Sequence, residues 1–356
     1  MKFELSEEQE LLQETVRGFM ESECPVTRLR EIYDDEPRFD PALWKGMVEL
    51  GLGGIQVPET YGGAGLDVLD LSVVAETLGY CAAPGPFMSH SLAAAAIAWG
   101  GNDKQRDRWL PRLASGDLLG TIAFAEDGGW QPEDWTLAAG GSLSGTKQHV
   151  PFGDVADLIV VGTQGGGLAV IEGNAGVESS LFDGVDRTRL LADLTFDGAS
   201  AEVLGEGSGV ADRVRDLALV LLAADAFGGA SRCVEMAVEY AKNREQFGVT
   251  IGHFQGLKHQ LANMAVSVEP ARALYWYAAH AFDQVPDESP RTAALAKSHV
   301  TEQFMQAARD TVEAHGGYGF TWECEVQIWF KRAMYDRAFL GSPAVHRERA
   351  ATLAGW

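Results

Sequence analysis

Apolar residues recur at helical spacing near the start of the chain. Leu12, Val16 and Phe19 lie on one face of a helix, while the residues between them are mostly polar. Ser6 precedes this segment and Gln9 stands three residues after Ser6, which is the spacing of a capping box. The pattern predicts an amphipathic helix that begins directly after Ser6.

Helical patterns continue to about residue 118, with a glycine-rich loop at residues 57–65. From residue 121 to about residue 204 the chain changes to short β-prone runs separated by glycine and aspartate. Helical spacing returns at about Val210. Breaks rich in glycine or proline divide this last part into roughly four long helices, and they lie at residues 248–252, 286–290 and 316–319.

These patterns predict a mainly α protein with a central β-domain. We expect an N-terminal helical domain at residues 1–118, a small antiparallel β-domain at residues 119–206 and a C-terminal four-helix bundle at residues 207–356. A chain of 356 residues, 46% of them hydrophobic, is long enough to bury a large core in several domains.

The charge of the chain limits its partners. The formal net charge is -23, and no basic run interrupts it. Such a surface repels nucleic acid and anionic lipid, so we exclude nucleic acids and membrane surfaces as partners. The same charge repels an anionic cofactor at long range. A local arginine or a helix N-terminus is therefore needed to bind one.

Several features predict a cytoplasmic protein without a metal site. The apolar stretch from Leu217 to Ala230 contains Asp225 and two glycines, which is typical of a buried helix rather than a membrane span. The N-terminus is acidic where a secretion signal is basic. The four cysteines lack the paired spacing of a zinc site, so we expect reduced thiols and no metal.

Four strings of residues carry a resemblance to a known family. They are FELSEEQELL at the N-terminus, VPETYGGAGLD at 57–67, YAKNREQFGVTIGHFQ at 240–255 and AHGGYGF at 314–320. The chain resembles acyl-CoA dehydrogenases over its full length, and the third string is the most specific. The resemblance implies FAD as cofactor, an acyl-CoA thioester as substrate and a flavoprotein as electron acceptor. It also implies a homo- or hetero-oligomer with another acyl-CoA dehydrogenase chain.

The third string joins a helix end, a tight glycine turn and the start of a new helix. This arrangement offers a cation and free backbone N–H groups to a diphosphate. The resemblance implies that Arg244 reaches the FAD pyrophosphate of the neighbouring subunit, with Phe247 and Gln255 close to the same cofactor. Taken alone, an arginine at a helix end is usually a solvated surface charge.

The fourth string implies a second contact with FAD. His315, Gly316 and Gly317 match the family's turn at which the backbone approaches the adenosine half of the cofactor. Taken alone, a glycine pair is only a helix stop. Glu313 stands where many relatives have glutamine, and it brings a negative charge to this region.

The catalytic base of the family is missing. The family places a glutamate at one of two positions, which correspond here to Ala218 and Leu340. Neither side chain accepts a proton. Asp225 follows Ala218 by seven residues, about two helical turns, and burial makes a carboxylate a stronger base, so Asp225 is a candidate base. Alternatively, Asp225 is bonded to a neighbouring helix or makes the end of the acyl pocket polar.

The flavin-binding strings of the β-domain are also altered. Where the family has Thr-Glu-Pro and a downstream Gly-Ser-Asp, this chain has the run from Ala125 to Trp130, which lacks the expected hydroxyl. Where relatives have Trp-Ile-Thr against the flavin, this chain has His149, Val150 and Pro151. His149 is either an acid or base or, more often at such a position, a structural residue.

Two functional hypotheses follow. In the first, the chain is an active, homo-oligomeric acyl-CoA dehydrogenase that uses Asp225 as its base. In the second, the chain is a non-catalytic subunit that supplies Arg244 and the turn after residue 314 to an FAD held mainly by a catalytic chain. We favour the second, because the pattern of losses resembles the short subunits of heteromeric acyl-CoA dehydrogenases that act on sterol side chains. A cofactor-free helical adaptor is a remote third hypothesis.

Overall fold

The chain forms two compact units in the computed structural model, which describes residues 4–34, 38–205 and 209–356. The helical unit comprises the chain up to Leu29, Ser72–Ala83 and Leu219–Trp356. The mixed unit comprises Arg30–Leu71 and Pro84–Ala218. The division into three domains stays a prediction.

Helices precede and follow a central group of strands. The helices are α1 Glu7–Glu23, α2 Val26–Asp34, α3 Pro41–Glu49, α4 Val68–Tyr80, α5 Phe87–Gly100, α6 Asp103–Ala114, α7 Val210–Asn243, α8 Gln255–Val268, α9 Ala271–Gln284, α10 Ser289–Ala314, α11 Val326–Ala338 and α12 Pro343–Leu353. The strands are β1 Gly120–Ala123, β2 Ser142–Pro151, β3 Leu158–Thr163, β4 Gly167–Glu172, β5 Val177–Phe182, β6 Leu191–Ser200, β7 Glu202–Val203, β8 Glu245–Gln246 and β9 Val249–Thr250. This order confirms the predicted mainly α fold with a central β-domain.

The first helix begins where the sequence predicts. The Ser6 side chain accepts a hydrogen bond from the Gln9 N–H at 3.2 Å, and the Ser6 N–H donates to Gln9 Oε1 at 3.0 Å. Both halves of the capping box are therefore formed. Val16 is buried on the predicted apolar face.

The mixed unit contains two sheets, with strand orders β1-β3-β4-β7 and β2-β6-β5. The prediction of an antiparallel β-domain is wrong for one pair of strands. β1 runs parallel to β3, with Gly120 opposite Leu158. β2 separates these two strands in the sequence and pairs with β6 instead. The chain thus crosses to the second sheet and returns to the first in its original direction. Apolar side chains from both sheets form one core that includes Ala123, Ile159, Val161, Leu194 and Phe196.

In the helical unit α10 packs on α8, α9, α11 and α12. Six helices follow residue 209 among the described residues, because two breaks are not apparent from the sequence pattern. One lies between α8 and α9, where Pro270 is the N-cap residue of α9. Proline is tolerated at a helix start because its missing N–H is not needed there. The other lies at residues 339–342.

α7 has 34 residues and is therefore longer than the apolar stretch from Leu217 to Ala230, from which a buried helix was predicted. Its length and hydropathy fit a membrane span, yet 83% of its most apolar window is buried by the rest of the protein. That burial is typical of a core helix. The prediction of a buried helix is confirmed.

Candidate functional site

Arg244 follows the last residue of α7 directly. Its carbonyl oxygen accepts a hydrogen bond from the Ile251 N–H at 2.7 Å, which closes the short hairpin of β8 and β9. The side chain is exposed. Across residues 4–34, 38–205 and 209–356, no hydrogen bond or ion pair engages its guanidinium. The structure therefore presents an accessible cation at the position that the sequence predicts.

Phe247 lies at the tip of the hairpin and is 93% exposed. Phe247 and Gly248 both have positive φ, at 56° and 78°, as a tight two-residue hairpin turn requires. The Phe247 ring meets the ring of Phe254 edge-on at a centroid distance of 6.1 Å. The turn thus holds an aromatic side chain away from the body of the helical unit.

α8 begins immediately after this hairpin. Gln255 is its first residue and is exposed, and Phe254 at the N-cap position makes no side-chain capping bond. The N–H groups of the first turn therefore lack a side-chain acceptor, and they carry the positive end of the helix dipole. A helix start of this kind is suited to an anion.

The turn after α10 contacts the last turns of α7. The His315 Nδ1–H donates to the Thr311 carbonyl at 2.7 Å, and the His315 ring stacks on Tyr240 at 4.2 Å between centroids. Burial lowers the pKa of His315, although the bond to Thr311 opposes this effect. Tyr240 lies one turn before Arg244, so the structure brings the two predicted cofactor strings together. Sequence analysis missed Tyr240, whose signal is its spacing of four residues from Arg244.

The two glycines of this turn leave the backbone open. Gly316 has a φ of 60°, and both Gly316 and Gly317 are exposed. A Cβ atom placed on either glycine would meet no atom within 4 Å. A ligand can therefore approach this stretch of backbone closely. Glu313 is exposed on the preceding turn of helix.

A cleft of about 240 Å³ lies beside these residues in the helical unit. Tyr240 and His315 line it, and Arg232, Glu239 and Glu325 add charge of both signs. Among the predicted cofactor residues, His315 therefore borders a concave surface.

Asp225 is occupied by an ion pair. Its two carboxylate oxygens accept hydrogen bonds from Nε and Nη2 of Arg332 at 2.8 and 2.5 Å. Both side chains are buried. A carboxylate that is held by a bidentate guanidinium takes up a substrate proton only if the pair opens. The geometry favours the alternative role, in which Asp225 is bonded to a neighbouring helix.

The two family positions for the base are buried and apolar. Ala218 lies within α7, and Leu340 follows the end of α11. Leu340 adopts a φ of 59°, and its carbonyl oxygen accepts a hydrogen bond from His346 Nε2 at 3.0 Å. Neither position offers a proton acceptor.

The altered strings of the mixed unit contact one another. The His149 ring lies 6.0 Å from the stacked Trp130 ring and 4.7 Å from the Phe182 ring, which meets it edge-on. The His149 N–H donates to Asp193 Oδ1 at 2.9 Å, at a shift in the β2–β6 register. His149 thus has the contacts of a structural residue.

Glu126 of the same strings points inward. It accepts hydrogen bonds from Lys147 Nζ at 2.6 Å and from the Thr136 N–H at 2.8 Å. Lys147 is completely buried. Glu126 also accepts a hydrogen bond from the N–H of Leu137 at 3.5 Å, so it is already engaged by residues of two segments and stabilises the mixed unit.

Residues 6–117 match the acyl-CoA dehydrogenase N-terminal domain, and residues 205–354 match the acyl-CoA dehydrogenase C-terminal domain. The chain belongs to the acyl-CoA dehydrogenase family. Members of this family are FAD-dependent oxidoreductases that dehydrogenate acyl-CoA thioesters. One relative, the acyl-CoA dehydrogenase IpdE2 of Mycolicibacterium smegmatis, is 34% identical over 345 residues, which cover 95% of this chain and 96% of the relative.

Solved structures of two heteromeric acyl-CoA dehydrogenases are also similar. The steroid acyl-CoA dehydrogenase Tcur3481-Tcur3483 gives a TM-score of 0.90 at 31% identity, over 98% of both chains. The ChsE4-ChsE5 complex of Mycobacterium tuberculosis gives a TM-score of 0.89 at 27% identity, over 100% of this chain and 99% of the other. The chain is similar to the partner chains of steroid acyl-CoA dehydrogenases.

Proposed function

We propose that this chain is the non-catalytic, FAD-completing subunit of a hetero-oligomeric acyl-CoA dehydrogenase. The partner is an acyl-CoA dehydrogenase chain that keeps the glutamate base, and the assembly forms an α,β-unsaturated thioester. One contrast carries the proposal. Arg244 is an accessible cation beside an uncapped helix start, whereas Ala218 and Leu340 leave both base positions without a proton acceptor.

The residues present fit one half of an FAD site. Arg244 and the first N–H groups of α8 supply positive charge and donors for the diphosphate, with Gln255 at the start of that helix. Gly316 and Gly317 leave the backbone open to the adenosine half, beside His315. When bound, FAD supplies the hydride acceptor of the dehydrogenation. This chain binds and orients it through the charge of Arg244.

The other half of an FAD site fits less well. The residues that replace the family's flavin-binding strings, Trp130 and His149, pack against each other and against Phe182. Glu126 is held inside the mixed unit by Lys147. The absence of the family's flavin-binding residues supports an arrangement in which the partner chain binds the flavin ring and this chain binds the diphosphate of the same FAD.

The partners and the location follow from the same proposal. The assembly acts on an acyl-CoA in lipid metabolism and passes electrons to a flavoprotein acceptor. We place it in the cytoplasm, since the four cysteines, Cys24, Cys81, Cys233 and Cys324, are free thiols.

The second candidate is a homo-oligomeric enzyme with Asp225 as base. Burial of Asp225 favours it, but the bidentate bond to Arg332 opposes it. A cofactor-free adaptor would leave the accessible cation and the open glycine turn without a role.

Co-expression separates these candidates. The chain is purified alone and together with an acyl-CoA dehydrogenase chain that keeps the glutamate, starting with the product of the neighbouring gene. We expect the chain purified alone to be colourless and the complex to be yellow and active. The amount of FAD in the complex should be proportional to the amount of the catalytic chain. Yellow protein that turns over acyl-CoA when it is purified alone would instead establish the homo-oligomeric enzyme.

Arg244→Ala in this chain tests the donated charge directly. Because one charge-assisted contact to the diphosphate is lost, we expect the Kd of FAD for the complex to rise on the order of 10- to 100-fold. Arg291→Ala is the matched control, since Arg291 is a half-buried arginine of the same helical unit that pairs with Glu288 at 3.8 Å. FAD retention by the Arg244→Ala complex equal to that of the control would refute the proposed role.

A further inference from the structure

The cleft beside Tyr240 and His315 lies within the helical unit and combines an apolar floor with acidic edges. We propose that this cleft binds an arginine side chain of the catalytic partner chain. The inference rests on the proposed hetero-oligomer and names the kind of side chain by which the partner recognises this chain. The volume of about 240 Å³ suits a single side chain, since sites for whole cofactors and drug-sized ligands measure roughly 300–1,000 Å³.

The floor of the cleft is apolar. Three of the residues that line the cleft are buried and carry no charge, namely Met236, Cys324 and Val326. A group that enters the cleft therefore meets apolar atoms at its base. The methylene groups of an arginine side chain can pack on such a floor while the guanidinium stays at the edge, as is common for long cationic side chains.

Carboxylates outnumber cations at the edge of the cleft. Glu239 and Glu325 line it and are exposed. In the part of the chain that the structure describes, no hydrogen bond or ion pair engages the Glu325 carboxylate. Arg232 Nη1 lies 3.5 Å from Glu235 Oε2 and 3.7 Å from Glu239 Oε2, so nearby carboxylates already balance the charge of this lining arginine. Burial lowers the pKa of His315, so its ring adds no charge at neutral pH. The cleft therefore attracts a further cation.

The aromatic rings of the cleft favour arginine over lysine. The centroid of the Tyr240 ring lies 4.2 Å from that of His315 and 6.4 Å from that of Tyr318, and the ring planes differ by 25° and 18°. A planar guanidinium stacks on such rings and also binds a carboxylate through two N–H groups, whereas the ammonium of lysine is a point charge. Arginine is also frequent among the residues that contribute most to the affinity of protein interfaces.

The cleft is continuous with the surface on which we place the partner's FAD. Tyr240 lies one turn before Arg244, and His315 directly precedes Gly316, whose backbone is open to a ligand. A partner chain that brings its FAD to Arg244 and Gly316 therefore comes close to the cleft as well. A charge on the partner that matches the acidic edge would fix the orientation in which the two chains assemble.

Arginine modification of the FAD-loaded complex tests the inference. The complex is treated with phenylglyoxal at a concentration above its Kd, and peptide mass spectrometry measures the modification rate of each arginine. We expect one arginine of the partner to react at least about tenfold faster in the Glu325→Lys complex than in the wild-type complex. Glu14→Lys is the matched control, since Glu14 is an exposed glutamate on α1 of the same unit.

The Kd of the complex, measured by analytical ultracentrifugation, is the second readout. We expect Glu325→Lys to raise this Kd at least about tenfold. Glu325→Gln removes the charge without adding a cation at the start of α11, and it should raise the Kd by a smaller factor. If neither Glu325 variant changes the Kd more than Glu14→Lys does, the inference is wrong.

Two other results would identify a different occupant and overturn the inference. One is protection of a partner lysine from acetylation in place of an arginine from phenylglyoxal. The other is self-association of the isolated chain that Glu325→Lys abolishes, because the occupant would then be a second copy of this chain. A failure of the proposed function looks different, since the chain would then bind FAD and turn over acyl-CoA when purified alone.

Discussion

At the scale of single residues, His90 in α5 shows how burial fixes a protonation state. Its Nδ1 accepts a hydrogen bond from the Gly120 N–H at 3.1 Å, so its Nε2 carries the proton. Nε2–H lies 3.0 and 3.2 Å from the carbonyl oxygens of Gly53 and Leu113. Burial lowers the pKa of His90 from 6.5 to about 4, against the effect of these two carbonyls. A neutral histidine thus links four segments of the mixed unit.

This pKa predicts a loss of stability in acid. Between pH 6.5 and about 4 the unfolded chain binds a proton at His90 that the folded chain does not. The unfolding free energy therefore falls as the pH decreases through this window, by up to about 3 kcal/mol from this residue. Urea unfolding of the wild type and of His90→Gln at several pH values measures the effect. Their difference in unfolding free energy should narrow towards pH 4, and a constant difference would contradict the prediction.

Residues whose roles are local could be predicted from the sequence. Ser6 and Gln9 form the expected cap because both bonds lie within one helical turn. The partner of Asp225 is 107 residues away in the sequence. Nothing in a hydrophobic pattern pairs Asp225 with Arg332, so the sequence left two roles open for Asp225, a base or a residue bonded to a neighbouring helix, and did not identify the partner.

At the scale of elements, the same pair fixes α11 on α7, and its energetics can be measured by a double-mutant cycle. Asp225→Leu or Arg332→Met alone leaves an unpaired buried charge, and we expect each to reduce the unfolding free energy by about 3–5 kcal/mol. The double variant should lose less than either single variant, because no charge remains. Chemical denaturation of the four proteins checks this order. Additive losses would show that the two side chains are not coupled.

Elements were predicted more reliably than their pairing. Apolar spacing and glycine breaks were enough to place helices on either side of the β-strands. The parallel pairing of β1 with β3 was not predictable, because it depends on β2 joining the other sheet. The separation of α8 from α9 at Pro270 was also missed, since the apolar spacing continues across it.

At the scale of the whole molecule, the helical unit exposes large aromatic side chains. Phe247 is 93% exposed, and Phe320 and Trp322 are 72% and 42% exposed. Exposed aromatic residues are typical anchors of protein interfaces. In the proposed assembly, Phe247 extends from the hairpin that carries Arg244, so one surface both contacts the partner and supplies charge to its cofactor.

Phe247→Ser should therefore weaken the complex without unfolding the chain. We expect the Kd of association with the catalytic chain to rise at least about tenfold, because an aromatic anchor is removed. The thermal midpoint of the isolated chain should not change, since Phe247 buries little of its surface. Trp356→Ser is the control, as Trp356 is also 93% exposed. Analytical ultracentrifugation measures the Kd, and equal effects of both substitutions would rule out a special role for the hairpin.

The ion pair of α7 and α11 also restricts how this protein can evolve. A lineage that regained a glutamate at Leu340 would still carry Asp225 and Arg332, and mutation replaces them one at a time. The first replacement would remove about 3–5 kcal/mol from a fold whose total stability is typically about 5–15 kcal/mol. A descendant that lost one member of the pair first would be less stable than the present chain by that amount. In the proposed assembly, dependence on a catalytic partner chain is then difficult to reverse, because the first replacement destabilises the fold.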